Sequence, residues 1–312
     1  MIDLHIHTVY SDGEFKEEEI IDRITQPGFF SITDHNSVHM YVSLGKIISV
    51  EKCPGLIIGT ELTVEGHPDY LVYYPDLKIN DFDALARIEG KLQLIRLTEQ
   101  DAIKKAYEYL KANDRDVHYS EWESDFSPIT FQDGYLIEAR TSDLANIRKK
   151  HRNNGVKSCE NKNDLREARI ARRSIHQEIE IDPLQIVKDT GGIVVLAHPI
   201  RTAYIHSGRE KAGIGQMEEY LKELLSSFYQ SGGRCVECEY IDENPERHPL
   251  VFSHAIELRS IVMDAIEKYG FQVVWGTDSH KHFPADTEKW SNENEKIFYD
   301  SIPVWLQRKD KE

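Results

Sequence analysis

Apolar and polar positions along the chain follow two rhythms. Short runs of apolar or alternating residues carry the strand signature: IDLHIHT, FFSITDH and GLIIGTEL near the start, GGIVVLAHP, RCVECEY and FQVVWGTDSH near the end. Between them lie segments with helical spacing. These are EEEIIDRI and the stretch through Ile47 and Ile48 in the first part, then MEEYLKELLSSFYQ and HAIELRSIVMDAIEKYG in the last. Strands alternating with helices of about 10–15 residues predict βαβ units and a mostly parallel sheet or barrel. Gly191-Gly192 and Gly270 stand where helices should stop and the next strands begin. The span 81–181 breaks the rhythm. It predicts polar helices over 81–112, 140–152 and 163–180 around an irregular loop, VHYSEWESDFSPITFQDG. The α/β chain thus divides into a first barrel part at 1–80, a helical insertion or cap at 81–181, and a second barrel part at 182–312.

Composition narrows the class. The 312 residues carry 54 acidic and 38 basic side chains, a net charge of -16. Such a chain has no excess positive charge to displace counterions from phosphates, which excludes a general nucleic-acid coat. Mean hydropathy is -0.52, and no apolar run approaches the roughly 20 residues of a bilayer span. The N-terminus begins directly in a strand, without the basic and apolar regions of a secretory leader. Four cysteines (53, 159, 235 and 238) are too few and irregular for a disulfide framework. Cys235 and Cys238 form a lone C-x-x-C on a predicted strand, with no second pair and no following helix start, and read as ordinary thiols. A cytoplasmic location is expected. Between Arg140 and Arg173, eleven Lys/Arg face four Asp/Glu. That run is either a set of solvated helix faces or a cap that draws in an anion.

The chemistry concentrates at strand ends. His5 and His7 lie two apart on the first strand, so both imidazoles face one way. Asp278 and His280 repeat that geometry in GTDSH. Between them come Asp12 in TVYSDG, His35 in ITDHN, Glu61 in GTELT, His67 in EGHPDY and His198 in LAHP. Each follows an apolar strand, where the loops of a barrel converge. Any one of them alone reads as a hydrogen-bonded structural residue. Nine together resist explanation by core packing, because unpaired buried charge costs several kcal/mol. The set predicts a multi-metal site. Its mixture of imidazoles and carboxylates suits Zn, Mn or Fe rather than Mg or Ca.

HIHTVYSDG, ITDHN, GTELT, LAHP and GTDSH resemble, in order, the motifs of the PHP (polymerase and histidinol phosphatase) superfamily of metal-dependent phosphoesterases. The resemblance runs from His5 to His280. It implies a distorted (β/α)7 TIM-like barrel, the PHP fold, with a helical insertion subdomain before LAHP. It also implies that His5, His7, Asp12, His35, Glu61, His198, Asp278 and His280 hold two or three divalent ions, with His7 and Asp278 central to catalysis. Family members carry one more His after the Glu. His67 matches that residue by type, and Asp69 matches it by register. The layout is closest to the branch of nucleoside 3′,5′-bisphosphate phosphatases and 5′→3′ exoribonucleases. Ala197-His198-Pro199-Ile200-Arg201 reproduces its A-H-P-x-R motif, which makes Arg201 a phosphate-binding candidate. The branch's Arg-x-His-x-x-Ala element corresponds to Arg140-Thr141-Ser142-Asp143-Leu144-Ala145. That stretch offers Arg140 as a second substrate contact but lacks the His.

The implied activity is hydrolysis of phosphomonoesters of nucleotides, or of the 5′ end of short oligonucleotides, by a hydroxide bridging two metals about 4 Å apart. Three divalent ions less three carboxylates and one hydroxide leave about two positive charges for a phosphate dianion. Asp34 is expected to orient His35 or a neighbouring imidazole. Three other readings share the ligand set: a non-catalytic PHP module that binds a partner, a histidinol-phosphate phosphatase, and an amide or carbamate hydrolase.

Overall fold

The computed structural model describes residues 2–114, 117–132, 134–151, 162–179, 181–207, 213–239 and 253–281. In chain order these form β1 (Ile2–Ile6), α1 (Glu17–Ile24), β2 (Phe29–Ile32), α2 (His39–Ile47), β3 (Leu56–Leu62) and β4 (Tyr70–Tyr74). There follow α3 (Phe82–Asn113), α4 (Trp122–Thr130), β5 (Phe131–Gln132), β6 (Tyr135–Leu136), α5 (Thr141–His151) and α6 (Lys162–Glu178). The chain then runs through α7 (Pro183–Thr190), β7 (Ile193–Leu196), α8 (Pro199–His206), α9 (Ile214–Gln230), β8 (Cys235–Glu239), α10 (Ala255–Tyr269) and β9 (Gln272–Gly276). Two compact units result: Met1–Arg87 with Pro183–Glu312, and Ile88–Asp182. The boundary falls inside α3, a continuous helix.

The first unit is a distorted TIM-like barrel interrupted by the helical insertion. Its seven strands run in the order β1-β2-β3-β4-β7-β8-β9. The outer strands meet through the parallel bridge of Ile6 with Ser279 and the bond from His7 N–H to the Ser279 carbonyl (2.9 Å). Buried Asp3 fastens the same seam, accepting from the Thr277 N–H at 3.0 Å and its hydroxyl at 2.9 Å. One strand departs from the expected parallel order: β4 pairs antiparallel with both β3 and β7. Only residues 63–69 separate β3 from β4, far fewer than the dozen or so a parallel crossover needs.

Local signals explain the helices around the barrel. The α1 helix opens with Glu17, Glu18 and Glu19 against its positive end. There the Glu19 carboxylate accepts the Lys16 backbone N–H at 3.0 Å. Proline begins α7 and α8, where a missing N–H costs nothing. Gly270 ends α10 at φ +68°, the left-handed turn that glycine adopts without a Cβ penalty.

Tyr41 of α2 locks this helix into the sheet. Its fully buried hydroxyl accepts from Ile32 N–H (2.8 Å) and Gly59 N–H (3.0 Å) and faces the carbonyls of Ile32 and Ile57. Burial pushes the phenol above its ordinary range, so the hydroxyl keeps its proton.

The second unit has its own core. Tyr107 of α3 meets Trp122 and Phe126 of α4 edge to face, and those two rings stack at 3.8 Å. This i,i+4 pair accounts for a helix inside the segment expected to be an irregular loop, where Pro128 and the polar residues masked it. Ion pairs brace the unit. Arg148 binds Asp114 at 2.5 Å, Arg172 binds Glu99 at 2.7 Å, and His151 binds Asp125 at 2.6 Å. Part of the basic run is therefore committed to structure, while Lys149, Lys150, Arg166 and Arg169 are exposed. Cys235 is buried and Cys238 half-buried on β8, both as free thiols; Cys159 lies outside the described residues. Among the described residues no helix is long and apolar enough to cross a membrane.

Replacing Tyr41 with Phe leaves two buried N–H groups without their acceptor. The expected loss is about 1–3 kcal/mol of unfolding free energy, read from urea denaturation. A loss under about 0.5 kcal/mol would show that those groups find other partners.

Candidate metal centre

Strand ends bring the candidate residues to one mouth of the barrel. His5 lies in β1, and His7 and Asp12 follow it; His35 follows β2, Glu61 lies late in β3, His198 follows β7, and Asp278 and His280 follow β9. The reversed β4 adds one more. Its first residues lie beside the end of β3, and Ala197 N–H bonds the Asp69 carbonyl at 3.1 Å. Asp69 therefore arrives next to His198.

Among the described residues, three groups of donors have their ligand atoms within 4.8 Å of one another: His7, Asp12, His35 and His280; His5, His7, Glu61 and Asp278; and Glu61, Asp69 and His198. In the second group His5 Nε2 lies 3.1 Å from His7 Nε2, and each stands 3.1–3.4 Å from Glu61 Oε2 and Asp278 Oδ1. In the first, Asp12 Oδ1 is 3.4 Å from His35 Nε2, 3.2 Å from His280 Nε2 and 3.7 Å from His7 Nδ1. In the third, His198 Nε2 is 2.8 Å from Glu61 Oε1 and 3.8 Å from Asp69 Oδ2.

These separations fit divalent ions. Ligands about 2.0–2.1 Å from a common ion sit roughly 2.8–3.0 Å apart at neighbouring octahedral corners and roughly 3.3–3.4 Å apart at tetrahedral ones. The shared residues set the spacing: His7 serves two groups, and Glu61 offers one oxygen to each of two. A carboxylate divided in this way is suited to bridging neighbouring ions. Nitrogen and carboxylate donors together suit a divalent metal ion.

The electrostatics agree. Burial would lower the pKa of His7 and His198, but Asp278, Glu61 and Asp12 raise His7 to about 9, and Glu61 and Asp69 raise His198 to about 9. His5 likewise overcomes its burial and is raised well above the ordinary value by Glu237, Asp278 and Glu61. Against the burial that would raise them, Glu61 is held well below the carboxylate range by His35, His5 and His198, and Asp278 by Arg201 and His5. Asp69 moves the other way, raised by burial and by the charge of Glu61. Without metal, protons take the positions that cations would fill.

Backbone strain collects at the same place. His198 (φ +23°) and Asp278 (φ +51°) are donors with positive φ, and Asn36 (φ +50°) follows His35. Non-glycine residues in this region cost of order 1–3 kcal/mol and persist only where surroundings hold them. Asn36 is held by two bonds with Thr63, and Thr63 Oγ1 also lies 2.7 Å from His35 Nδ1.

Several candidates stand elsewhere than expected. His67 belongs to none of the donor groups; it lies half-buried in the turn after Gly66, and Asp69, two residues on, takes the place beside His198. Asp34 accepts from Thr8 N–H, Thr8 Oγ1 and Ser11 Oγ, each at 2.6 Å. It thus ties down the loop that carries Asp12, and reaches His7 Nδ1 through Ser11 (3.3 Å) instead of bonding an imidazole itself. Arg201, 41% exposed, is ion-paired with Asp278 Oδ2. Arg140 belongs to the second unit, where its backbone N–H meets the Asp143 carboxylate at 2.7 Å ahead of α5. Sequence reasoning missed Glu237. A carboxylate in the middle of the apolar run RCVEC was the available signal.

Neither a protein-family model nor a curated protein matches the sequence. Among solved structures, one from Bifidobacterium adolescentis named as a "putative metal-dependent phosphoesterase" is similar at a TM-score of 0.52 and 16% identity, over 97% of this chain and 96% of that one. At that identity the likeness bears on the fold.

Two outcomes follow from the geometry. In the metal-free protein, the stability that His7 and His198 contribute is complete below pH 6.5 and lost as pH rises through about 9. The part from Glu61 and Asp278 is present above the ordinary carboxylate range and lost as pH falls through their lowered values. Adding Zn²⁺ to chelated protein near neutral pH should therefore release at least about one proton per chain. Calorimetry in buffers of different ionisation enthalpy reads this directly, and heats independent of buffer would contradict it. Separately, Asp69→Ala should lower the number of ions retained per chain, whereas His67→Ala should leave it unchanged. Elemental analysis after dialysis decides between them; the reverse pattern would restore His67 as the donor.

Proposed function

We propose that this chain is a metal-dependent phosphoesterase of the PHP type, hydrolysing phosphomonoesters of nucleotides or of the 5′ ends of short oligonucleotides. The observation that carries this reading is the division of Glu61 between two donor groups, Oε2 toward His5, His7 and His35 and Oε1 toward His198. Adjacent cation positions sharing a carboxylate suit the clamping of phosphoryl oxygens during in-line displacement. Divalent ions held there would supply Lewis acidity and lower the pKa of water.

The chain's own residues do the remaining work. His7 and Asp278 hold the middle of the cluster, within 3.1 Å of each other. Arg201 adds a guanidinium at its edge, and a planar fork of five N–H donors is suited to phosphate oxygens. Its pairing with Asp278 fixes one end of that fork.

The test is phosphate release from 3′,5′-bisphosphonucleotides, nucleoside monophosphates, histidinol phosphate and 5′-phosphorylated short RNA and DNA, with Mn, Zn or Fe restored to chelated protein. Nucleotide-type esters should turn over best, and His7→Ala or Asp278→Asn should lower kcat by at least about 100-fold. Metal-loaded protein inactive on every phosphoester would refute the proposal. Preference for histidinol phosphate would keep the reaction class and change the substrate.

A further inference from the structure

One buried carboxylate touches the donor cluster without belonging to any of its three groups. Glu237 of β8 is 1% exposed. Its Oε1 lies 2.8 Å from His5 Nδ1, and its Oε2 accepts the His198 backbone N–H at 2.7 Å. These contacts reach two different candidate ligands on two different strands. His5 then has one ring nitrogen on Glu237 and the other, Nε2, among His7, Glu61 and Asp278. His198 is the residue at φ +23°, a conformation that needs an outside hold to persist.

The carboxylate reaches His5 past the backbone of a glycine on the strand between them. In strand order β9 stands between β8 and β1, with Gly276 at the crossing. A Cβ on Gly276 would lie 2.1 Å from the His5 Cβ, 2.8 Å from Glu237 Oε1 and 2.9 Å from the His5 nitrogen. Any side chain there would push His5 and Glu237 out of place. Glycine at this position removes that obstruction.

We propose that Glu237 is a positioning residue that keeps the proton of neutral His5 on Nδ1, directs the Nε2 lone pair into the metal cluster, and clamps the strained His198 backbone. The inference rests on reading the cluster as a metal centre. A carboxylate is specifically required, because both neighbours present an N–H and each needs an acceptor. An amide has one acceptor oxygen and one NH₂. Glutamine at 237 can satisfy His198 only by turning its NH₂ to His5, which moves the imidazole proton to Nε2 and removes the lone pair from the cluster. Turned the other way, it sets NH₂ against the His198 N–H. Either arrangement loses one of the two ligands' settings.

Zn²⁺ affinity measured by competition with a chromogenic chelator, together with ¹⁵N NMR of the imidazoles in Zn-loaded protein, tests this role. Glu237→Gln should raise the Kd by about 10–100-fold whichever way its amide turns, and should abolish the His5 Nδ1–H signal where the NH₂ faces His5. Tyr41→Phe, which destabilises the same barrel away from the cluster, should leave both readouts at wild-type values. Glu237→Asp keeps both acceptors on a shorter stem; its Kd should rise at least about threefold, and it serves if the Gln variant does not fold. A Kd within about twofold of wild type in whichever variant folds, with the His5 Nδ1–H signal retained, overturns the assignment. If wild type hydrolyses no phosphoester while Glu237→Gln still loses affinity, the catalytic reading fails and the positioning role stands.

Discussion

Glu61 has no exposed surface and four imidazoles around it. Its Oε2 stands 3.2–3.4 Å from nitrogens of His5, His7 and His35, and its Oε1 2.8 Å from His198. An ionised carboxylate in such a place costs several kcal/mol unless positive charge answers it. That requirement organises the mouth of the barrel. Imidazolium groups meet it in the metal-free chain, and divalent ions meet it better, because one ion can address three or four donors at once. The fold carries the cost of assembling these lone pairs through contacts that also close the sheet. The bond from His7 N–H to Ser279 fastens β1 to the segment after β9, and the same segment brings Asp278 and His280.

The reversal of β4 extends the cluster. A parallel strand in this position would begin at the far end of the barrel and deliver its last residue, not its first, to the mouth. Running antiparallel, β4 places the residue before Tyr70 beside the end of β3 and against the start of the His198 loop. One short connection therefore determines both the distortion of the barrel and the identity of the last donor. Strain at His198 and Asp278 belongs to the same bargain between geometry and packing. Both residues leave a strand and turn inward at once, a change of direction that L residues make only when neighbouring bonds hold them.

Much of this was legible in the chain itself. Alternation in IDLHIHT put His5 and His7 on one face, and the strand-helix rhythm put Asp12, His35, Glu61, His198, Asp278 and His280 at strand ends. What was not legible depended on partners distant in sequence. His67 matched by residue type, but the choice between it and Asp69 turns on where a seven-residue hairpin places its last residue. Glu237 gave no spacing signal because its partners are 232 and 39 residues away and it reaches His5 past Gly276, where a side chain would stand in the way. The helix α4 was hidden by polar residues and a proline, since its stability comes from Trp122 and Phe126 packing on Tyr107 rather than from its own periodicity. Arg148 read as surface charge, yet it answers buried Asp114.

Asp69 in place of His67 would also alter the charge balance of the site. With three divalent ions, a neutral imidazole in that position would leave about two positive charges after the carboxylates and one hydroxide are counted. A fourth carboxylate leaves about one. Arg201, set against Asp278, returns a positive charge at the edge nearest solvent. Glu237 stands outside that count, because it meets the His5 ring at Nδ1 and the His198 backbone N–H and belongs to none of the donor groups. On the proposed reading, the attraction for a phosphate would be divided between deeply held ions and one half-exposed guanidinium. Distant surface charge matters little to that attraction, since salt screens it beyond roughly 8–10 Å. On that reading a chain with a net charge of -16 can present a cationic mouth, because ions in the donor groups and Arg201 beside Asp278 would act locally where distant carboxylates are screened.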